Sequence, residues 1–458
     1  MTALWTSAEI AAAVAGAASA EFAVGGVAFD SREIGPGDLF VAMKGEATDG
    51  HRFVDQAFAS GATGAITSQA VDHPHILAVD TMAALEALGT AARARTAARI
   101  VGVTGSVGKT GTKEALALAL ERSAPGRVHR SVKSYNNHTG VPLSLSRMPA
   151  DTRFGVFEMG MNHAGELAAL TRMVRPHVAI VTAIAPAHQA FFASVEAIAD
   201  AKGEIFQGLE PGGIAIVPFD SPYRDRLIAA ARPYAGTILT FGLGEGADVR
   251  AVEAVPATNG GTLVTAHLPG GELGFTISQP GMHWVSNAMA VIAAVEVVGG
   301  DLAAAGLALA EMPGLKGRGA RHRIAIDGGS ALLIDESYNA NPASMVATIR
   351  QLGRESADRR LVVLGAMREL GEASDRFHAE IAAPIEEANV DFALLVGPEM
   401  AALATRLEGS VDFAHVPDAA TALEALSEML QPGDAVLIKG SNSIGLARVV
   451  DALAGGTN

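Results

Sequence analysis

Arg99-Ile-Val-Gly-Val-Thr-Gly-Ser-Val-Gly-Lys-Thr110 joins an apolar run of strand length to a glycine-containing turn. The β-branched residues at 99–104 predict a buried strand, and the residues after the turn predict a helix from 110 to about 122. A strand that delivers such a turn to a helix start leaves backbone N–H groups and the positive end of the helix dipole facing outward, where they can cradle phosphates. Gly105, Ser106, Val107 and Gly108 would form the cradle. Lys109 would reach the terminal phosphates and Thr110 would hold Mg²⁺. Val103 stands where the full phosphate-loop pattern has its first glycine, so only the Gly-x-x-Gly-Lys-Thr part is present. The competing reading is an ordinary strand-helix turn.

Working outward, apolar runs at 154–159, 178–184 and 213–217 alternate with helical segments, which predicts a parallel sheet covered by helices. Residues 244–281 change to short alternating runs broken by Gly-Gly and Pro-Gly, predicted as a small antiparallel insert, and a helix follows at 284–298. Pro313-Gly-Leu-Lys-Gly-Arg-Gly319 reads as a linker. Beyond it, strands expected at 331–335, 360–364, 392–396 and 435–439 alternate with helices in a Rossmann-like pattern. Before residue 99, short strands, one at 38–43, mix with helices, and the segment closes in an Ala/Arg-rich helix at 82–99. The expected fold is therefore α/β in three domains. Residues 1–98 form a small α/β domain, 99–314 a central phosphate-loop domain on a parallel sheet with an antiparallel insert, and 315–458 a Rossmann-like domain. A length of 458 residues agrees with that division at about 150 residues per domain.

Composition narrows the function. Hydrophobic residues are 49% and charged residues 18% of the chain, as in packed globular domains. Against 34 basic side chains stand 49 acidic ones, a formal charge of −15, so nucleic acid is not an expected partner. Cysteine is absent, which excludes disulfides, thiolate metal sites and a cysteine nucleophile. The most apolar early stretch, 10–20, is about half a membrane span and is flanked by Glu9 and Glu21. It fits neither an anchor nor a signal peptide. The expectation is a cytoplasmic protein without membrane insertion, acting as a monomer.

Metal ligands for a nucleotide should lie just beyond the carboxyl ends of the strands. Glu158 ends one apolar run and His188 follows another by four residues. Each taken alone is an ordinary loop residue; beside a phosphate loop both become candidates. Lys202 is the least ordinary residue. On a helix over 195–206 it lies within about 60° of Val195, Ile198, Ala199, Ile205 and Phe206, in the middle of the apolar stripe. The chain has only seven lysines against 27 arginines, so this one is not surface filler. It either snorkels or loses its proton through burial, and a neutral amine can take up CO₂ to become an anionic carbamate able to bind Mg²⁺.

Taken together, Thr104-Gly-Ser-Val-Gly-Lys-Thr110, Glu158-Met-Gly160, His188, Lys202 and His283-Trp-Val-Ser-Asn287 resemble the Mur ligase family, the ATP-dependent amide ligases of peptidoglycan precursor assembly. The likeness extends over Asp30-Ser-Arg32, Pro36-Gly-Asp-Leu-Phe40, Asp49-Gly-His51, Asn136-Asn-His-Thr-Gly-Val-Pro142 and Ala201-Lys-Gly-Glu-Ile-Phe206. It continues through Asp335-Glu-Ser-Tyr-Asn-Ala-Asn-Pro342, Gly365-Ala-Met-Arg-Glu-Leu-Gly371 and Lys439-Gly-Ser441. These motifs are most similar to those of family members that add D-alanyl-D-alanine to a UDP-N-acetylmuramoyl tripeptide through an acyl phosphate. The resemblance implies Ser31 and Arg32 near the uridine and Asn137 and His138 near the diphosphate. It implies ATP between the central and third domains, on residues 105–110, with Asn287, Arg318 and Asp335 or Glu336. Thr110 and Glu158 would hold one Mg²⁺, and Glu158, His188 and carbamylated Lys202 a second. Lys109, Glu158, His188 and Lys202 are thus the implied catalytic set. The acceptor dipeptide would meet Asn339, Asn341 and Ser441.

Four positions in three places depart from the family pattern. Trp284 replaces an Asn, Gln189-Ala190 replaces Leu-Glu, and Ala366 replaces an Asp. None is a proposed metal ligand. Rival readings fare worse on the residues. A guanine-specific switch protein needs an Asn-Lys-x-Asp signature, which is missing. The family's third-residue-adding enzyme carries an acceptor motif Asp-Asn-Pro-Arg, also missing here. A folylpolyglutamate-synthase-like enzyme would leave the first domain unexplained.

Overall fold

The computed structural model describes residues 3–45, 48–186, 192–257 and 261–455. His188, Gln189 and Ala190 lie outside the described residues. Three large sheets follow one another along the chain.

The first sheet has five strands, in the order Ala17–Ala18, His75–Leu77, Gly64–Thr67, Asp38–Val41, Gly26–Ala28. All neighbours are parallel except the first pair. The helix expected at 82–99 runs Thr81–Ala94, with Asp80 capping its start through hydrogen bonds from Met82 N and Ala83 N. It stops short of Arg99 because Arg99 opens the next strand. This helix packs on Gly140–Ser146 so closely that a Cβ at Gly89 would lie 2.9 Å from the Pro142 carbonyl. Leu143 accordingly belongs to the apolar core of the first sheet. Trp5 Nε1 donates to Ser146 O at 2.8 Å, and buried Arg93 donates to Val174 O and Arg175 O at 2.8 Å. The first and central parts are thereby bonded together.

The central sheet has nine strands. Val128–Arg130, Phe154–Glu158, Arg99–Thr104, Val178–Val181, Ile214–Pro218, Thr237–Gly242 and Val249–Pro256 are parallel neighbours in that order. Thr262–Leu268 and Gly271–Ile277 then add on antiparallel. The expected insert is thus the edge of the main sheet rather than a separate body: its first strand pairs with Thr237–Gly242 through Phe241–Val249. Period-two alternation within the parallel strands sends Val101 and Val103 to one face, under helices Lys109–Ser123 and Met282–Val298. Ile100 and Ala179 turn to the other, against Ile198, Ile205 and Phe206. Both faces are buried, which is why these strands read as continuous apolar runs.

The third sheet runs Ala320–Ile326, Gly329–Glu336, Asp434–Lys439, Arg359–Gly365, Phe392–Val396, Asp412–Val416, parallel except for the first pair. Its first and last strands were not foreseen. The first begins directly after the glycine-rich linker, and the last, Asp412–Val416, is an edge strand with little burial. Among the described residues no helix is long and apolar enough to cross a membrane.

Candidate active site

The carboxyl ends of the central strands face those of the third sheet across a cleft of ≈ 560 Å³. Ser106 to Gly111 form one wall, with Ser134, Asn136, Glu158 and Lys202 beside them and Trp284 and Asn287 from helix Met282–Val298. Arg318, Glu336, Asn339, Asn341, Lys439 and Ser441 come from the opposite side.

The phosphate loop has the geometry that its glycines demand. Gly105 and Gly108 have φ of 150° and 88°, and a Cβ on Gly105 would lie 1.9 Å from Thr182 Oγ1. Gly108 precedes helix Lys109–Ser123, so the N–H groups of the first turn have no helical partner and point at the cleft. Asn287 packs onto this turn, with its Oδ1 3.0 Å from a Cβ position at Gly108. Trp284 fits because residue 111 is glycine: its ring would be 2.9 Å from a Cβ there. The indole therefore lines the cleft beside the phosphate loop.

Thr110 and Glu158 meet as the motifs require. Thr110 Oγ1 donates to Glu158 Oε2 at 2.8 Å, and Asn136 Nδ2 donates to Glu158 Oε1 at 2.7 Å. Ser134 Oγ lies 3.4 Å from the Thr110 hydroxyl. The Thr110 hydroxyl and the Glu158 carboxylate bring together hard oxygens of the kind that suit Mg²⁺, and Asn136 orients the carboxylate through its Nδ2. Among the described residues no three His, Asp or Glu side chains form a metal cluster by themselves.

Two amines line the same cleft. Lys109 Nζ donates to Gly105 O at 2.7 Å. Burial holds its pKa below the ordinary lysine value, with Arg318 acting in the same direction and Glu158 and Glu369 opposing. Lys202 is 1% exposed, on helix Val195–Gly203, which ends three residues before the expected limit. Its pKa lies well below the ordinary value, first through burial and then through the Lys109 charge. No described carboxylate pairs with it.

Other expected residues divide into two groups. Glu336, Arg318, Asn339, Asn341 and Ser441 line the cleft. Ser441 Oγ accepts from Arg368 N at 3.0 Å, and Asn341 caps helix Pro342–Leu352. Asp335 does not line the cleft; it is fully buried, and its carboxylate accepts from Gly317 N, Ser337 N and Ser337 Oγ. Strand alternation turns Glu336 towards the cleft and Asp335 away. Ser31 and Arg32 stand apart, on the first sheet's side: Ser31 Oγ is 3.4 Å from Gln56 Oε1, and exposed Arg32 forks onto Asp30 at 2.9 and 2.6 Å. Asn137 and His138 are exposed, and Asn137 Oδ1 accepts from Gly140 N at 2.9 Å.

Ser134, Asn136, Arg368 and Lys439 had no sequence-derived role, yet all line the cleft. Nothing local ties Asn136 to Glu158, which it meets only in the folded chain. Nothing local marks Ser134.

This nucleotide-type cleft between two sheets has its counterpart in known families. Residues 103–295 match the Mur ligase middle domain, 322–442 the Mur ligase glutamate ligase domain, and 23–105 the Mur ligase family catalytic domain. The chain belongs to the Mur ligase family. It is 35% identical over 444 residues to the UDP-N-acetylmuramoyl-tripeptide–D-alanyl-D-alanine ligase of Synechocystis, covering 95% of this chain and 93% of that protein. Among solved structures, MurF from Acinetobacter baumannii superposes with a TM-score of 0.85 at 31% identity, over 98% of this chain and 99% of that one. MurF ligase from Thermotoga maritima in complex with ADP superposes with a TM-score of 0.75 at 27% identity, over 94% of this chain and 97% of that one. Mur ligase membership accounts for a phosphate loop and a facing third sheet in one cleft.

Proposed function

We propose that this chain is an ATP-dependent amide ligase that joins D-alanyl-D-alanine to a UDP-N-acetylmuramoyl tripeptide, yielding the pentapeptide precursor of peptidoglycan, ADP and phosphate. The observation that carries the reading is the meeting of Lys109, Thr110 and Glu158 in one cleft with Arg318 from across it. The likeness to the D-alanyl-D-alanine-adding relatives supports the substrates.

A carboxylate is a poor acyl donor because it would have to lose oxide. Transfer of the γ-phosphoryl group of ATP to the tripeptide carboxylate creates an acyl phosphate, whose leaving group is phosphate. The neutral amine of the dipeptide then attacks the acyl carbon, and the tetrahedral intermediate collapses to amide and phosphate. Lys109 and Arg318 would offset the charge where carboxylate and triphosphate approach. The loop at 105–110 would bind the phosphates, with Asn287 and Glu336 towards the nucleoside. When bound, Mg²⁺ supplies Lewis-acid stabilisation of phosphoryl oxygens; Thr110 and Glu158 would hold it. Lys202, buried with its proton easily lost, would react as R–NH₂ + CO₂ → R–NH–COO⁻ + H⁺, gaining an anionic head opposite Lys109. His188, with Glu158 and that carbamate, completes the proposed second metal set.

The division of labour follows the three sheets. Residues 1–98 would hold the nucleotide-sugar end through Ser31 and Arg32, with Asn137 and His138 alongside. Residues 99–314 would bind ATP, and 315–458 would bring the dipeptide to Asn339, Asn341 and Ser441. Closure of the cleft would exclude water from the acyl phosphate.

The test is phosphate release from ATP and Mg²⁺ with the UDP-muramoyl tripeptide, with and without D-alanyl-D-alanine, and the product weighed by mass spectrometry. Dipeptide-dependent phosphate with a mass gain of one dipeptide is the expected result. A folded, ATP-binding sample that forms no such product overturns it.

A further inference from the structure

The linker segment around Arg318 is built to tighter tolerances than a linker needs. Asp335 Oδ2 accepts from Gly317 N at 2.6 Å, and the Asp335 carbonyl accepts from Gly319 N at 2.8 Å. Arg318 N donates to Leu315 O at 2.8 Å, and Tyr338 N donates to Gly317 O at 3.1 Å. Gly317 and Gly319 have φ of 73° and 93°, and a Cβ on Gly317 would lie 2.7 Å from Tyr338 Cβ. The turn therefore closes onto the end of strand Gly329–Glu336 and carries Arg318 outward. Its guanidinium lies 4.4 Å over the Tyr338 ring and donates through Nη2 to Ser134 Oγ at 3.2 Å, on the phosphate-loop side.

We propose that Asp335 and Tyr338 are positioning residues that hold Arg318 towards the terminal phosphates of ATP, and that Asp335 makes no contact with the nucleotide itself. This rests on the reading of the cleft as the ATP site. Both Asp335 carboxylate oxygens are already engaged with the linker and with Ser337, and the group is sealed from solvent. A guanidinium pre-set by a fixed backbone and an aromatic face loses less freedom when it meets a phosphate.

Steady-state kinetics of the full chain test this with Arg318→Ala, Tyr338→Leu, Tyr338→Phe, Asp335→Asn and the doubles with Arg318→Ala. Arg318→Ala should lower kcat/KM for ATP by about a hundredfold. Tyr338→Leu and Asp335→Asn should each lower it by about tenfold in the wild-type background and by less than about twofold on top of Arg318→Ala, because the losses share one route. KM for the nucleotide-linked tripeptide should not move. Tyr338→Phe should restore most of what leucine loses, since the ring is kept. Should Asp335→Asn fail to fold, the tyrosine pair still decides. Full additivity with Arg318→Ala, or a phenylalanine as damaging as leucine, overturns the positioning role. An Arg318→Ala enzyme with normal ATP kinetics instead removes the assignment of Arg318, and the proposal with it.

Discussion

At the scale of one residue, the environment of Lys202 is what the proposed carbamate rests on. An amine at 1% exposure with the Lys109 charge bearing on it favours its neutral form, and neutral amine is the form that captures CO₂. Lys202→Ala should lose amide formation by about a thousandfold or more and recover part of it when a small carboxylate such as formate is added, measured as dipeptide-dependent phosphate release. Full activity without the additive would remove the carbamate role. This lysine was legible in the sequence because its helical neighbours are apolar. Ser134 and Asn136 were not, because a polar residue in a loop declares nothing until the fold sets it 3.4 Å from Thr110 or 2.7 Å from Glu158.

Elements meet in ways that single changes can expose. Helices Lys109–Ser123 and Met282–Val298 approach closely at Gly111, where a Cβ would sit 2.9 Å from the Trp284 ring. Gly111→Val should destabilise the chain by about 1–3 kcal/mol through overpacking and weaken ATP binding, because the displaced indole lines the cleft; urea denaturation and ATP titration measure the two. Strand Arg99–Thr104 has a pH-sensitive anchor: Ile100 N donates to His177 Nδ1 at 3.0 Å, so the ring is neutral. Burial, then Arg99 and Arg93, lowers the His177 pKa to about 4 from the ordinary 6.5, with Glu210 opposing and Arg175 assisting. Folding thus favours the deprotonated ring, and the stabilisation is whole above pH 6.5 and fades as pH falls towards 4. Melting temperature should drop by a few degrees across that window on this account. His177→Asn, which keeps an acceptor but cannot titrate, should show a smaller drop. The strand pattern predicted four of the central parallel strands but not Val128–Arg130 or Thr237–Gly242, and without the latter the 249–277 strands had no partner to tie them to the main sheet.

At the scale of the whole molecule, the proposed division of labour separates Ser31 and Arg32 from the ATP cleft, which neither of them lines. Arg32→Ala should raise KM for the nucleotide sugar by about tenfold while leaving KM for ATP nearly unchanged, and an equal rise in both would make the division wrong. The two regions are nonetheless physically joined: Arg93 reaches the central part through two backbone carbonyls, and Leu143 lies in the core of the first sheet. Local order in the sequence sufficed for the three α/β sections, the phosphate loop and the apolar setting of Lys202, because periodicity, glycine position and residue spacing act over a few neighbouring residues. It could not tell Asp335 from Glu336, adjacent carboxylates that strand alternation sends to opposite faces. Nor could it bring Arg318 to Ser134, residues 184 positions apart that meet only across the cleft. Those pairings depend on how two sheets stand against each other, and that is decided by the packing of their helices and the short turn between them.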